Sequence, residues 1–145
     1  MANYCCVTRT NYFRVKDEVA FRAFMERVYC GEDEIQLWAK RATDETLLFG
    51  FGCYGGISGV RNSRDEDDDN ADSAYDEFLG GLQSCIDEND AVIIMEAGNE
   101  KLRYLVGLVT IVTCNDIQTF DMTNWAVEVA GRILSNPAYN TECVY

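Results

Sequence analysis

The stretch from Leu102 to Cys114 is the longest apolar run in the chain, and from Leu102 to Thr113 it sets apolar side chains on both faces of a period-2 repeat. Interrupted by Arg103, Tyr104, Thr110 and Thr113, it is too short for the roughly 20 residues that a membrane-spanning helix needs. A strand that is apolar on both sides has to be covered on both sides, so the run predicts a central place in a sheet. A chain of 145 residues can bury such a core without metal or disulfide staples, and 1–145 reads as a single domain.

Elsewhere the apolar period switches between 2 and 3.6. The opening segment Tyr4 to Val15 places Cys5, Val7, Phe13 and Val15 on one face, together with Arg9 and Asn11. Polar groups on a buried face need partners, so these two either tie the sheet together or mark a break in pairing, and the break is expected near Thr10–Asn11. Asp17 then offers a helix N-cap ahead of Phe21, Phe24, Met25 and Val28, with Gly31 as the stop. Ile35 to Lys40 and Thr46 to Tyr54 read as a hairpin around Ala42–Glu45. Its second strand alternates Leu47, Phe49, Phe51 and Cys53 with Leu48, Gly50, Gly52 and Tyr54, so one face is bulky and the other is bare at two positions.

Gly55, Gly56 and Gly59 open an acidic loop over 55–72. Ser73 is placed to cap the next helix, whose buried stripe is Tyr75, Phe78, Leu79, Leu82 and Ile86 despite Gly80–Gly81 in its middle. A strand at Ala91–Glu96, a turn at Gly98–Asn99 and the long apolar strand follow, with Asp116–Phe120 as a candidate short edge strand. Thr123 is placed to cap a last helix through Trp125, Ala126, Val129, Ala130 and Ile133, closed by Asn136–Pro137. The expected fold is α+β, a mainly antiparallel sheet of about five strands with three helices, in the order β-α-ββ-α-ββ-α.

Function classes fall away quickly. The chain contains no histidine, which removes Ser-His-Asp and Cys-His catalysis and the HExxH zinc sites. It has no GxxxxGK[ST] loop, and its glycines lack the dinucleotide-binding spacing. A magnesium-dependent carboxylate enzyme would have to use Glu96, Glu100 and Lys101, which read as a solvated turn. Asp65, Asp67 and Asp69 take offsets 1, 3 and 5 of a hand-type calcium loop, but offset 6 is Asn70 and offset 12 is Asp76 in place of glutamate. The expectation is a protein that is not an enzyme and has neither cofactor nor metal. Cys5, Cys6, Cys30, Cys53, Cys85, Cys114 and Cys143 are odd in number and show no CxxC spacing, and the N-terminus lacks a secretory signal pattern, so a cytoplasmic protein is expected.

Charge is the positive clue. The formal charge is −13, which disfavours direct binding of nucleic acid or anionic membrane and favours a basic partner. Eight acidic side chains cluster in a short span, Asp65, Glu66, Asp67, Asp68, Asp69, Asp72, Asp76 and Glu77, with Asp87, Glu88 and Asp90 beyond the second helix. Duplex DNA carries a phosphate about every 1.7 Å along its axis and is gripped by lysine and arginine, so a patch of carboxylates can occupy the same groove.

Three segments carry a resemblance: Tyr4–Val15 (YCCVTRTNYFRV), Phe49–Gly55 (FGFGCYG) and Glu96–Tyr104 (EAGNEKLRY). In these the chain resembles a group of short acidic proteins from phages, plasmids and integrative elements of gut Firmicutes. The resemblance implies a role in disarming host defence, as anti-CRISPR and anti-restriction proteins do, and brings no catalytic residues with it. Two readings follow. One is an inhibitor of a host nucleic-acid-targeting nuclease, a CRISPR effector or restriction enzyme, that places its acidic loop and second helix in a basic channel. The other is an accessory module that holds a peptide or small ligand over Arg9, Asn11, Gly50 and Gly52.

Overall fold

A computed structural model of the chain describes residues 4–31, 34–61 and 71–141. The elements are β1 (Cys5–Thr10), α1 (Glu18–Arg27), β2 (Val28–Tyr29), β3 (Gln36–Arg41), β4 (Leu47–Cys53), β5 (Gly59–Val60), α2 (Ala71–Cys85), β6 (Val92–Glu100), β7 (Tyr104–Val112), β8 (Ile117–Asp121) and α3 (Met122–Ile133). Six strands form one sheet in the order β3-β4-β1-β6-β7-β8, antiparallel at every pairing, and β2 pairs with β5 in a separate ribbon. The expected class and the three helices hold. The sheet has six strands where about five were expected, and the element order differs.

Each difference has a local cause. Val28 sits seven residues after Phe21 and fits the helical stripe, yet it is already extended at φ −76° and ψ 137°, so the chain passes from α1 into β2 without a turn. Its partner β5 is only two residues long and follows a glycine-rich stretch that shows no strand periodicity. The turn between β6 and β7 falls at 101–103, with Lys101 at φ 48°, so β6 runs through Gly98–Asn99 as strand. Asp121, two residues before Thr123, caps α3 by accepting from the backbone N–H groups of Thr123 and Asn124. Asp17 caps α1 in the same way, as its position predicts. The helix expected to begin after Ser73 begins at Ala71.

The break in β1 organises the core. Thr8 and Thr10 face inward and are buried, whereas Cys5, Val7 and Arg9 face outward. After Thr10 the side chains take over the ladder on both sides. Thr10 Oγ1 accepts from Phe51 N at 3.0 Å and donates to Asn11 O at 2.8 Å. Asn11 Oδ1 accepts from Ile93 N at 2.8 Å while its Nδ2 donates to Ala91 O at 3.0 Å, so one amide side chain imitates a backbone pair with β6. Pairing then resumes between Phe13 and Phe49. The interruption shifts the alternation by one residue, so Tyr12 turns outward and Phe13 turns into the core. The single face expected for Cys5, Val7, Phe13 and Val15 is therefore split. The first two lie outside and Phe13 lies inside.

The inner face of the sheet packs on α1 and α2. Phe13 meets Phe21 and Phe51 edge-on at 5.6 and 6.1 Å, and Phe51 meets Phe78 of α2 at 6.1 Å, geometry favoured by ring quadrupoles. Met25, Leu82, Ile86, Val92 and Val112 close the core around them. The two glycines of α2 have opposite surroundings. A side chain at Gly81 would collide with the ring of Phe24 from α1, whereas one at Gly80 would meet open space.

Two stability tests follow, each read by urea unfolding with an unchanged far-UV spectrum as control. Asn11→Ala leaves Ile93 N and Ala91 O without their side-chain partner and should cost about 1–3 kcal/mol. Gly81→Ala should cost about 1–3 kcal/mol by overpacking, while Gly80→Ala should stabilise by up to about 1 kcal/mol. Equal effects at the two glycines would refute this account of the α1–α2 contact.

Candidate partner-binding surface

The acidic segment meets the fold at α2. Asp65, Glu66, Asp67, Asp68 and Asp69 lie outside the described residues, and Asp72 falls in the first turn of the helix. Asp76 and Glu77 follow within the next turn. Both are exposed, and the solvent side of the helix continues through Gly80 and Ser84. The ion pairs among the described residues join Arg14 to Asp44, Arg22 to Glu18 and Arg103 to Glu100, and neither Asp76 nor Glu77 belongs to any of them.

At the far end of α2 the acidic residues divide by task. Asp90 accepts from Arg14 N at 2.8 Å and from Ala91 N, and Asp87 Oδ1 accepts from Asn89 N, so both are spent on holding the connection into β6. Glu88 is exposed beside them. The open carboxylates described on this surface are therefore those of Asp76, Glu77 and Glu88.

The residues considered for metal-assisted catalysis are not assembled. Glu96 lies on the inner face of β6, opposite Leu108, rather than in the turn. Glu100 is four residues along the strand, roughly 13 Å away by strand rise, and pairs with Arg103. Among the described residues no group of three or more Cys, Asp or Glu is placed to hold a metal ion.

Glu96 belongs to a different cluster. Tyr4 donates to its Oε2 at 3.2 Å, and Thr8, Tyr75, Ile94, Leu108 and Thr110 join it around a void of about 30 Å³, the size of one water. Burial, and after it the charge of Glu96, pushes the Cys6 thiol up. The same two causes push the Tyr4 phenol far above its ordinary value, and burial raises Tyr75. A thiol and phenols held in their protonated forms are poor nucleophiles, so this cluster lacks an activated group.

The surface over Gly50 and Gly52 is not bare. Trp38 stands opposite Gly50, and its ring reaches over Gly52, where a Cβ would lie 2.9 Å from Trp38 Cη2. Tyr12 covers Gly50 in the same manner. Arg9 stacks on Trp38 at 5.2 Å and Lys40 on Tyr12 at 4.2 Å. The glycines make room for cross-strand aromatics, and Asn11 is committed to Ala91 and Ile93. A peptide or small ligand has no open backbone to lie on there, which removes the geometric basis of that reading.

Sequence reasoning missed a further feature. Met95, Phe120, Met122 and Trp125, all large and exposed, stand around a groove of about 320 Å³ on the outer face of the sheet and the start of α3, and Val7 is exposed on the same face. Of the apolar positions of α3, Trp125, Ala126 and Ile133 are exposed and Val129 and Ala130 half-buried, and Gly131 is the buried residue of that helix. The signal was present in the both-sided apolarity of 102–113, which demands a second covering layer. No helix among the described residues is long and apolar enough to cross a membrane. No family model matches the chain, and neither the curated proteins nor the solved structures include one similar to it.

Proposed function

We propose that the chain is a non-enzymatic inhibitor of a host nucleic-acid-targeting defence nuclease, a CRISPR effector or a restriction enzyme, and that it fills a basic channel as a partial mimic of nucleic acid. The observation that carries the reading is the run of acidic residues that leads directly into α2, where Asp76 and Glu77 are exposed and belong to none of the ion pairs among the described residues. A formal charge of −13 supports the same reading, because it draws the chain to a basic groove and repels it from nucleic acid itself. The contact assigned is Asp65, Glu66, Asp67, Asp68, Asp69, Asp72, Asp76 and Glu77.

Mimicry of a polyanion makes two demands. Affinity must depend on salt, because the channel sheds bound counterions when the carboxylates enter. Individual carboxylates should also act in aggregate, since lysine and arginine in such channels read charge density more than single positions.

The test is a plasmid-interference assay against a panel of CRISPR and restriction systems, followed by pull-down of the system that is blocked. The complex should weaken by roughly tenfold or more between about 50 and 200 mM salt. Asp67→Lys, Asp68→Lys and Asp69→Lys together, or Asp76→Lys with Glu77→Lys, should abolish inhibition while leaving the circular dichroism spectrum unchanged. Inhibition and binding that survive both sets of reversals would show that mimicry is wrong even where inhibition is real.

A further inference from the structure

Helix α3 sits on the outer face of the sheet, where Met122 fills the space above Gly107 and Trp125 stands beside Phe120. It contacts β7 and β8. The layer above that face is thus half occupied. Among the described residues no helix covers β1 and β6, and Val7 and Met95 are left open there.

The exposed side chains form one surface. The strand register sets Val7 beside Ala97 and Gly107 in one row, and Arg9 beside Met95, Val109 and Phe120 in the next. Val7, Met95, Leu105, Phe120, Met122 and Trp125 are each between 44 and 58 % exposed. At roughly 150–250 Å² for a large side chain, that leaves on the order of 600 Å² of apolar surface open, before Ile133 and Leu134 at the end of α3 are added. Monomers seldom leave so much in one patch, and a stable interface takes about 800 Å² from each partner.

The geometry points to a second copy of this chain as the occupant, in a two-fold dimer whose axis runs along the strands between β1 and β6. Such an axis reverses the strand order of one sheet over the other. The α3 ridge of each copy then lies over its partner's β1, β4 and β3, against Val7 and the Trp38 and Tyr12 rings with their stacked Arg9 and Lys40, and the two helices lie side by side between two sheets. A ridge on one half and a floor on the other is a self-complementary shape, which an isologous contact requires.

Charge selects the same occupant. The acidic surface of α2 belongs to the inner side of the sheet, since Phe78 of α2 packs on Phe51. In the dimer the two acidic surfaces are separated by both sheets and the helix layer, well over 20 Å at about 10 Å per layer and beyond the Debye length of about 8 Å. The carboxylates of α2 therefore do not meet across this face. A basic partner would find no carboxylate row among Val7, Met95, Leu105 and Phe120 to pair with.

Sedimentation velocity on the full chain tests this. A species of twice 16.4 kDa is expected, and Met95→Lys and Val7→Lys should each return it to monomer with unchanged secondary structure and melting of the monomer fold. Both positions are already half exposed, so the substitutions spare the core. A chain that stays at 16.4 kDa up to about 100 µM overturns the proposal, whether or not another protein is later found on this face. A dimer that persists in both variants overturns it equally, because its contact then lies elsewhere.

Discussion

The interruption of β1 at Thr10–Asn11 is the constraint on which the rest of the molecule depends. A strand in the middle of a sheet cannot stop pairing without stranding donors and acceptors on both neighbours, and here two adjacent side chains meet that demand, one on each side. Phase is the result. Because the alternation slips by one residue, Phe13 enters the core between Phe21 and Phe51, and Tyr12 moves outside to cover Gly50. Without the slip the buried aromatic cluster would lose the ring that meets both Phe21 and Phe51 edge-on, and α1 would hold the sheet's aromatics through Phe49 alone.

The sheet separates two surfaces of different chemistry. Its inner side holds the aromatic core and carries α2, which turns carboxylates to solvent. Its outer side pairs cations with aromatics at one end, Arg9 with Trp38 and Lys40 with Tyr12, and exposes apolar side chains at the other.

Much of this was legible in the sequence, and what was not had physical reasons. The cap of α1, its stripe as far as Met25, the stripe of α2, the hairpin of β3 and β4, and the tight approach at Gly50 and Gly52 follow from side-chain period and from glycine. The break at Thr10–Asn11 was signalled by two polar residues on an apolar face. The direction of the slip was not, because it depends on Asn11 finding Ala91 and Ile93, some eighty residues away. The ribbon of β2 and β5 escaped because two-residue strands have no period. The openness of α3 escaped because amphipathicity tells that a helix has an apolar face, and not whether its own chain covers it. Of the acidic contact, α2 could be placed with Asp76 and Glu77, while Asp65 to Asp69 lie outside the described residues.

The small ribbon of β2 and β5 clasps the chain on either side of the β3–β4 hairpin. Arg61 donates its backbone N–H to Arg27 O, Arg27 Nε donates back to Arg61 O at 3.0 Å, and the Arg61 guanidinium stacks on Tyr29. The chain from Arg27 to Arg61 is thus a loop pinned at its neck, and the hairpin it carries, with Phe49 and Phe51, cannot leave the core unless that neck opens as well.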